Sequence, residues 1–299
     1  MINTNNVSNA NTNLEKENEI LKNKIEALIK DKERTSKIMG KLNTALEKQK
    51  HLDKMKTEFL SVTSHELKTP LTPIKAQLEM IEVGMLGKIN EKQKKGIAMI
   101  LRNVIILNDL IGDILDISKL ESNNMKFSMV KTDINSTIKD VVEMMKPNTK
   151  KKEMNLEFHS DKEHLLVEHD PRRLSQVIVN VISNAIKFTD KKGSILVQVS
   201  HNVPGVTIKI SDNGIGIPEN ALERIFAPFE QVDSSRSRNF EGTGLGLAIC
   251  KGIILRHDGN ICAQSEEGKG AIFIINLPYN QTNKRKEDEM DIFFSEPNN

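Results

Sequence analysis

Two long amphipathic stretches, separated by a turn, constrain the fold of this chain more than any other feature. The first contains SVTSHELKTPLTPIKAQLEM at residues 61–80, and the second runs from Glu91 to Glu121. In both, apolar residues recur three and four positions apart, which is typical of helices with one apolar face. The stretch EVGMLGKIN at 82–90 interrupts them with two glycines. We therefore predict a helical hairpin, and we expect its broad apolar face to be buried in a four-helix bundle when two chains dimerise.

A histidine and two prolines distinguish the first helix from a purely structural one. On a helical wheel, His65 falls nearly opposite the apolar arc, and Thr69 shares its exposed face. Pro70 and Pro73 each remove a backbone hydrogen bond, so we expect the helix to bend one turn after His65. A solvated surface histidine is the simpler interpretation of His65 alone. The two prolines favour instead an exposed nucleophile on a helix that moves.

The residues before the hairpin differ in composition from those within it. Residues 1–13 are mostly polar, which predicts a disordered arm. Residues 14–50 are rich in Lys and Glu, and their leucines recur at heptad spacing, which predicts a coiled coil leading into a hairpin domain at 51–122. A single amphipathic helix is the alternative for 14–50. At the other end of the chain, residues 280–299 are predicted to form a disordered tail, and a short docking motif around IFF at 292–294 is the alternative.

The pattern changes after residue 122 to short β-strand-like stretches that alternate with helical ones. Strands are predicted at 125–130, 154–159, 164–169, 194–200, 206–211, 260–265 and 271–277. Helices are predicted at 134–146, 171–187, 219–226 and 244–257. This mixture is typical of a two-layer α/β sandwich with a mixed sheet. The predicted fold class is thus a helical-hairpin dimerisation domain followed by an α/β domain at 123–279.

Composition and charge exclude several classes of function. The net charge of the 299 residues is +2, so nucleic-acid binding through bulk charge is not expected. No apolar stretch is long enough to span a bilayer, and the N-terminus lacks the pattern of a signal peptide, so we expect a soluble cytoplasmic protein. Cys250 and Cys262 lie within apolar stretches, which favours buried thiols over a disulfide or a metal site.

The helical stretch SQVIVNVISNAIKFT at 175–189 carries an unusual polar face. Gln176, Asn180, Asn184 and Lys187 share one stripe, whereas the opposite stripe is apolar and should pack on the sheet. An Asn oxygen can bind Mg²⁺, and a Lys can contact phosphate. A merely solvated polar face is an equally good interpretation of this helix when it is considered alone.

The next motif is SDNGIGIP at 211–218. The sequence Asp-Asn-Gly favours a simple turn, which is the first interpretation. In the second, Asp212 accepts a hydrogen bond from an exocyclic amine, while Gly214 and Gly216 let the backbone approach a base closely.

Three alternate glycines, Gly242, Gly244 and Gly246, precede or begin a helix in EGTGLGLAICKGI at 241–253. Backbone N–H groups at a helix N-terminus can bind phosphate. The spacing G-x-G-x-G after a polar segment fits neither a dinucleotide-binding loop nor a P-loop. The polar segment at 232–242 has a flexible composition and can fold over a nucleotide as a lid.

In this order, the motifs resemble those of the catalytic core of two-component sensor histidine kinases, whose ATP-binding fold is shared by the GHKL superfamily. The matching stretches are SHELKTPL (64–71), NVISNAIKFT (180–189), DNGIGIP (212–218), FAPFEQ (226–231) and GTGLGLAI (242–249). Together they extend over about residues 50–278, most of the chain. The resemblance implies a HisKA-type dimerisation and phosphoacceptor domain followed by a GHKL-type ATP-binding domain.

The resemblance also implies a function for the first motif. His65 is then the phosphoacceptor, Glu66 holds or removes its proton, and Thr69 orients water when a regulator is dephosphorylated. The implied activity is ATP-dependent autophosphorylation of His65 in a homodimer, followed by transfer to an Asp of a response regulator in two-component signal transduction. A non-catalytic nucleotide-binding scaffold stays open as an alternative. A GHKL-type ATPase is disfavoured, because Asn180 stands where such ATPases carry a Glu that activates water.

ATP and Mg²⁺ are the cofactors that the resemblance implies. Asn184 is the implied metal ligand, and Asn180 supports it. Lys187 is expected to contact phosphate, Asp212 to read adenine, and Phe188 to lie near the base. The other residues expected to bind the nucleotide or to anchor its lid are Gly214, Gly216, Phe226, Phe229, Gly242, Thr243, Gly244, Leu245 and Gly246.

Overall fold

The structure is a computed structural model, and it describes residues 4–231 and 243–280. The chain divides into two compact units, residues 1–56 and 57–299. In the described part of the chain, no helix is both long enough and apolar enough to cross a membrane.

The long helix α1 extends over Thr4–Glu82. It covers the predicted coiled coil at 14–50, and it also takes in most of the predicted disordered arm at 1–13. The arm prediction was therefore wrong from Thr4 onward, because extending a helix that has already formed costs little, even for a polar sequence. Pairing of this helix with a second copy stays a prediction. In the first unit, the large apolar side chains that the structure describes are exposed: Leu21, Leu28, Ile29, Ile38, Met39, Leu42, Leu46, Leu52 and Met55.

The predicted hairpin is confirmed. After α1 the chain turns through Gly84 and Gly87, whose φ angles are 81° and 114°, and helix α2 follows at Glu91–Glu121. Both glycines adopt the left-handed conformation that glycine tolerates best. The side-chain oxygen of Asn90 accepts a hydrogen bond from the Gln93 N–H at 2.9 Å, and the Gln93 side chain accepts one from the Asn90 N–H at 2.9 Å. This reciprocal capping box fixes where α2 begins.

Packing inside the hairpin covers only part of its apolar surface. Leu71 and Leu78 of α1 form a small buried cluster with Val104 and Ile111 of α2. Other large apolar side chains of the hairpin are exposed in a single chain: Phe59, Val62, Leu67, Ile74, Met99, Ile100, Ile105, Ile106 and Leu107. An uncovered apolar face of this kind marks a surface at which another chain can pack.

The second half of the chain is a two-layer α/β sandwich, as predicted. Its helices are α3 (Ile134–Lys150), α4 (Pro171–Phe188) and α5 (Gly246–Arg256). Its strands are β1 (Val130–Asp133), β2 (Asn155–Ser160), β3 (Leu166–His169), β4 (Ser194–Asn202), β5 (Gly205–Asp212), β6 (Asn260–Ser265) and β7 (Ala271–Pro278). The main sheet has the order β2-β4-β5-β7-β6, while β1 and β3 form a separate antiparallel pair. In the main sheet β2 and β4 are parallel and the other neighbours antiparallel, which confirms the predicted mixed sheet.

One predicted strand is largely absent. The stretch at 125–130 contributes only Val130, its last residue, to β1. The alternation of apolar residues there has another cause. Met125 is buried, and the ring of Phe127 packs edge-on against His257 with centroids 5.6 Å apart. Each of these side chains packs separately into the domain and holds the loop in place. The alternating apolar pattern therefore arises here without pairing to a neighbouring strand.

The helix predicted at 219–226 is instead two separate 3₁₀ turns, Glu219–Ala221 and Arg224–Phe226. Short 3₁₀ pieces are common where a segment is held by its side chains rather than by a long hydrogen-bond ladder. Ile225 is buried in the main core and holds the second turn in place. The prediction was wrong because the buried side chains, and not helical periodicity, fix this segment.

The expectations for the cysteines and for the C-terminal tail have different outcomes. Cys250 is buried, and burial raises the pKa of its thiol to about 12. Cys262 is only half-buried, and both thiols are free. The tail at 280–299 lies, apart from Asn280, outside the described residues.

Candidate active site

A cavity of about 390 Å³ opens between α4, the C-terminal end of β5 and the N-terminal end of α5. Its volume lies within the usual range for small-molecule sites, about 300–1,000 Å³. Polar groups along one wall and apolar groups behind them line it: Asp113, Asn180, Ser183, Asn184, Ala185, Lys187, Phe188, Asp212, Ile215, Gly216, Ile217, Ile225, Glu230, Gln231, Thr243, Gly244, Gly246, Leu247, Ala271 and Phe273.

Helix α4 supplies the polar wall of the cavity. Asp170 begins the helix by accepting a hydrogen bond from the Arg173 N–H at 3.1 Å. The apolar stripe of α4 is fully buried and comprises Leu174, Val177, Ile178, Val181 and Ile182. Because this stripe packs in the core, the opposite stripe faces the cavity and brings Asn180, Asn184 and Lys187 to one wall.

One contact lies at each end of the polar wall that α4 forms. The side-chain N–H of Asn180 donates to the carbonyl of Gly246 at 3.3 Å, which ties α4 to the start of α5. At the other end, Lys187 Nζ lies 4.8 Å from the centroid of the Phe188 ring, and both residues line the cavity. The wall therefore carries amides near α5 and a cation beside an aromatic ring near its C-terminal end.

Asp212 ends β5 at the rim of the cavity. Its Oδ1 accepts hydrogen bonds from the Gly214 N–H at 2.9 Å and from the Ala271 N–H at 3.3 Å. Burial raises the pKa of this carboxyl above its usual range, and the two backbone hydrogen bonds oppose the shift. Because both bonds end on Oδ1, Oδ2 is the oxygen that can accept a hydrogen bond from a ligand.

The two glycines that follow Asp212 are required by close approach of the backbone. A Cβ on Gly214 would lie 2.5 Å from the carbonyl oxygen of Phe188. Gly216 has a φ of 72°, and a Cβ there would lie 2.2 Å from the carbonyl oxygen of Glu266. Of these two glycines, Gly216 lines the cavity. Both glycines hold the loop against its neighbours and so set the shape of the rim.

The N-terminal end of α5 forms the opposite rim. The hydroxyl of Thr243 accepts a hydrogen bond from the Leu245 N–H at 3.2 Å, just before the helix begins. Thr243 lines the cavity, whereas Leu245 is fully buried and serves the core. Gly242 and the predicted lid at 232–242 lie outside the described residues. The start of a helix carries a partial positive charge, so this rim favours an anion.

Glycine is required at position 244 by the backbone, whereas at position 246 it leaves space in the cavity. Gly244 has a φ of 71°, and a Cβ there would lie 2.8 Å from the carbonyl carbon of Phe229, so the fold itself requires glycine. A Cβ on Gly246 would meet only the side chain of Asn180, at an ordinary 3.5 Å. Since Gly246 lines the cavity, a side chain there would take up space inside it. The donor groups and the free space at this rim fit a phosphate group.

Phe226 and Phe229 are not among the described residues that line the cavity. Phe226 is buried and packs edge-on against Phe273, with ring centroids 6.4 Å apart. Phe229 is 67% exposed, while its N–H donates to the carbonyl of Gly244 at 3.0 Å. These residues support the loops around the cavity, and their expected role as lid anchors stays a prediction.

The histidine of the first motif lies apart from the cavity-lining set in the described part of the chain. The side chains of His65 and Glu66 are 82% and 75% exposed, and His65 Nδ1 lies 3.7 Å from Glu66 Oε1. Thr69 is exposed too, and its hydroxyl donates to the carbonyl of His65 at 2.9 Å. Helix α1 continues through Pro70 and Pro73, and the bend predicted there stays a prediction.

Sequence reasoning missed a group of contacts between α2 and the α/β domain. Asp113 lines the cavity and accepts a hydrogen bond from the Thr243 hydroxyl at 3.1 Å. Asp116 accepts one from the Gln176 side chain at 2.7 Å, so Gln176, predicted to share the polar stripe, points to α2 instead. A signal was present: Asp109, Asp113 and Asp116 stand at i, i+4 and i+7, which is one face of a helix.

Two family models match the chain. Residues 55–123 match the His Kinase A (phospho-acceptor) domain, and residues 169–281 match the histidine kinase-, DNA gyrase B-, and HSP90-like ATPase. The first match contains His65 and the whole hairpin turn. The second contains every residue that lines the cavity except Asp113.

Curated relatives include bacterial sensor kinases. The non-motile and phage-resistance protein of Caulobacter vibrioides is 34% identical over 274 residues, which are 89% of this chain and 32% of that protein. Sensor histidine kinase RcsC of Escherichia coli is 37% identical over 224 residues, covering 75% of this chain and 23% of RcsC. Sensor protein kinase WalK of Staphylococcus aureus is 35% identical over 234 residues, covering 77% of this chain and 38% of WalK. The chain thus spans well under half the length of each of these relatives.

Solved structures agree with the sequence relatives. Full-length ShkA in complex with AMPPNP superposes with a TM-score of 0.63 and 28% identity, covering 75% of this chain and 46% of ShkA. Histidine kinase ThkA in complex with the response regulator TrrA gives a TM-score of 0.53 and 26% identity, covering 72% of this chain and 61% of ThkA. With its phosphoacceptor domain at 55–123 and its ATPase domain at 169–281, the chain belongs to the sensor histidine kinase family.

Proposed function

We propose that this chain is a homodimeric protein-histidine kinase, which transfers the γ-phosphoryl group of ATP to His65 and then to an Asp of a response-regulator receiver domain. One observation carries the proposal. The same chain holds an exposed His-Glu pair and a cavity lined by Asp212, Asn184 and the start of α5. The reaction consumes ATP, so the proposal places the protein in the cytoplasm.

The two ends of the cavity differ in chemistry, and this difference orients ATP. Oδ2 of Asp212 accepts a hydrogen bond from the exocyclic amine of adenine, because Oδ1 already accepts two from the backbone. Ile215 and Phe188 offer apolar surface to the base on the same side. The start of α5 attracts the phosphates, since it carries a partial positive charge. Lys187 lies beside Phe188 on the α4 wall, and it adds a full positive charge that can contact a phosphate once its side chain turns away from the ring.

Mg²⁺ accompanies the phosphates in this proposal. In ATP-dependent enzymes, Mg²⁺ is held by one or two protein oxygens, while phosphate and water complete its coordination. The amide oxygen of Asn184 fits that need, because it lies on the same cavity wall as Lys187. Asn180 supports the site from the next turn, held by its hydrogen bond to Gly246. When bound, the ion supplies charge neutralisation between the phosphates.

Nε2 of His65 is the attacking atom, because Nδ1 faces the Glu66 carboxylate at 3.7 Å. A bond forms between Nε2 and the γ-phosphorus, the bond to the bridging oxygen breaks, and ADP leaves. Positive charge develops on the imidazole ring, and the carboxylate of Glu66 stabilises it and accepts the Nδ1 proton. The phosphoryl group then passes from Nε2 to the carboxylate oxygen of an Asp on the regulator.

His65 and the cavity have to meet for this reaction. The α/β domain therefore moves relative to the hairpin, or the cavity of one subunit serves the partner subunit's histidine. The exposed apolar side chains of α1 and α2 support the dimer, because a four-helix bundle would cover them. The structure of ThkA bound to the regulator TrrA supports the choice of partner.

The proposal assigns a task to each segment of the chain. Residues 14–50 form the signalling coiled coil, 51–122 the dimerisation and phosphotransfer domain, and 123–279 the ATP-binding domain. Thr69 follows His65 by one helical turn and is exposed, which suits it to orient water for dephosphorylation of the regulator. For that task its hydroxyl has to leave the carbonyl of His65, to which it now donates.

Incubation of the full chain with radiolabelled ATP and Mg²⁺ tests the proposal against its rivals. A kinase yields label on the protein that is stable in base and lost in acid, as phosphohistidine is. A GHKL-type ATPase would release free phosphate without labelling the protein. Asn180 argues against that outcome, because its amide is a hydrogen-bond donor to Gly246 and cannot act as a base. A nucleotide-binding scaffold would bind ATP and do neither.

A further inference from the structure

Helix α2 lies against the α/β domain along one acidic face. Asp116 Oδ2 lies 3.5 Å from Arg173 Nη1, and the two side chains are only 21% and 15% exposed. The same Oδ2 accepts a hydrogen bond from Gln176 Nε2 at 2.7 Å. One turn further, Leu120 is fully buried where a Cβ on Gly252 would lie 2.8 Å from its Cδ1. These contacts form a specific docked interface between the hairpin and the α/β domain.

The next carboxylate on that face reaches into the cavity. Asp113 Oδ2 accepts a hydrogen bond from the Thr243 hydroxyl at 3.1 Å, and Asp113 lines the cavity together with Gly244 and Gly246. Thr243 in turn accepts a hydrogen bond from the Leu245 N–H at the start of α5. A carboxylate oxygen therefore lies at the rim to which the proposed function assigns phosphate.

Negative charge at this position is already unfavourable. Burial raises the pKa of Asp113, the Thr243 hydrogen bond opposes the shift, and the charges of Asp109 and Asp116 raise the pKa further. A nucleotide phosphate that approached Thr243 would add more negative charge to the same small volume. Like charges brought together in a partly buried site repel strongly.

We infer that Asp113 determines the affinity of the cavity for phosphate: it competes with the terminal phosphates of ATP for the rim at Thr243 while α2 is docked. Binding of the triphosphate then requires Asp113 to leave Thr243, which weakens the docked interface. ATP thereby favours the undocked arrangement that the transfer to His65 needs. The inference rests on the proposed function, since it takes the cavity to be the nucleotide site.

An opposite role for Asp113 is chemically reasonable and makes the inference testable. A carboxylate near bound phosphates can act as a second Mg²⁺ ligand, and it would then strengthen ATP binding. Competition predicts tighter binding when the charge is removed, whereas metal binding predicts weaker binding. The sign of the change therefore separates the two roles.

The experiment uses the full chain with His65→Gln as background, so that ATP is not consumed. Binding of ATP, ADP and adenosine in the presence of Mg²⁺ is measured by calorimetry for Asp113→Asn and for the parent. We expect Asp113→Asn to bind ATP about tenfold more tightly, ADP less so, and adenosine unchanged. Asp109→Asn is the matched control, because it removes the same charge one turn away on the same face of α2, at an exposed residue that is not among the described cavity-lining residues, and it should change little.

A second variant separates undocking from local charge. Arg173→Gln breaks the ion pair with Asp116 and removes a positive charge, and Arg173 is not among the described cavity-lining residues. Undocking predicts tighter ATP binding for this variant. A purely electrostatic effect predicts weaker binding, because the region becomes more negative.

Three results would decide against the inference. Unchanged ATP affinity in Asp113→Asn removes the competition, and weaker ATP binding makes Asp113 a ligand. Weaker ATP binding in Arg173→Gln removes the coupling to docking. Unchanged adenosine binding shows that Asp113→Asn is folded. A parent chain that binds neither ATP nor adenosine would instead contradict the proposed function.

Discussion

Helices α4 and α1 both carry candidate functional residues on a polar face, but their apolar faces differ in burial. Ile178 and Val181 of α4 are fully buried within a single chain, whereas Phe59 and Val62 of α1 are 69% and 57% exposed. The α/β domain therefore completes its core within one chain, with Ile117 and Leu120 of α2 as part of that core, whereas much of the apolar surface of the hairpin stays uncovered. A complete core holds a ligand cavity in a fixed shape. In the proposed dimer, the hairpin would depend on a partner chain for the rest of its core, and it could present His65 differently when that partner shifts.

The largest difference between the two regions should appear in the free energy of unfolding when a large apolar side chain is truncated to Ala. Ile178→Ala deletes buried methyl groups in the main core, and we expect it to lower the free energy of unfolding by about 2–5 kcal/mol. Ile106→Ala makes the same change at an exposed position of α2, and it should cost little in a single chain. Urea unfolding of the two variants under dissociating conditions measures the comparison. Equal losses would mean that the side chain of Ile106 is already packed within one chain.

Substitutions on the exposed apolar face of the hairpin should weaken dimerisation rather than folding of the single chain. Phe59→Ser removes a large exposed ring, and burial of such a ring is worth about 1.5–3 kcal/mol, so the dimer should dissociate at higher concentrations than the parent. Analytical ultracentrifugation over a concentration series measures this shift. Val203→Ser is the control, because Val203 is 80% exposed on the α/β domain. If both variants dimerise like the parent, Phe59 lies outside the dimer interface.

Acid should weaken the α/β domain more than the hairpin. Nε2 of His257 accepts a hydrogen bond from the Asp170 N–H at 2.9 Å, and Nε2 of His169 lies 3.1 Å from the Thr137 hydroxyl. Burial lowers the pKa of both histidines, although the charge of Asp170 opposes the shift. The unfolded chain therefore binds protons that the folded domain does not.

The sign of the pH effect follows from that difference. Stability is complete above the ordinary histidine pKa of about 6.5. It falls as the pH drops from that value toward the lowered pKa of the folded domain, by at most about 1.4 kcal/mol per pH unit for each histidine. Urea unfolding between about pH 7.5 and pH 5.5 measures the loss, and His257→Asn should reduce its slope. Stability that is constant over this range would mean that both histidines can be protonated in the folded domain.

The smallest effect should come from the cap of α2. Asn90→Ala removes one half of the capping box with Gln93, and we expect it to lower stability by about 0.5–2 kcal/mol. Asn90→Ser keeps a good cap and should recover most of the loss. Thermal unfolding of the three chains compares them. A full loss in the Ser variant would assign the effect to the turn itself and not to the cap.

Local patterns predicted some features of this structure well. The opposite stripes of α4 follow directly from the spacing of Asn180 and Asn184 against Val177 and Val181. The hairpin follows from the periodicity on both sides of a glycine-containing turn. In each case, residues within a few turns of one another settle the outcome.

Other features depend on partners far away in the chain. Asp113 contacts Thr243, 130 residues later, and periodicity on α2 gives no sign of that partner. The apparent strand at 125–130 is an anchored loop, because Phe127 packs against His257. The composition of residues 1–13 predicts disorder, yet helix α1 begins at Thr4 and includes most of this stretch. Such contacts become visible only once the whole domain is assembled.

One measurement tests most directly whether the hairpin supplies the phosphoacceptor while the α/β domain binds the nucleotide. Phosphohistidine formation and Mg²⁺-ATP binding are measured on the full chain for His65→Gln and for Asn184→Ala. The account predicts that His65→Gln forms no phosphohistidine and binds ATP within about twofold of the parent, because the nucleotide contacts lie on the α/β domain. It predicts that Asn184→Ala loses Mg²⁺-dependent ATP binding and still dimerises. Phosphohistidine on His65→Gln, or normal Mg²⁺-ATP binding by Asn184→Ala, would contradict the account.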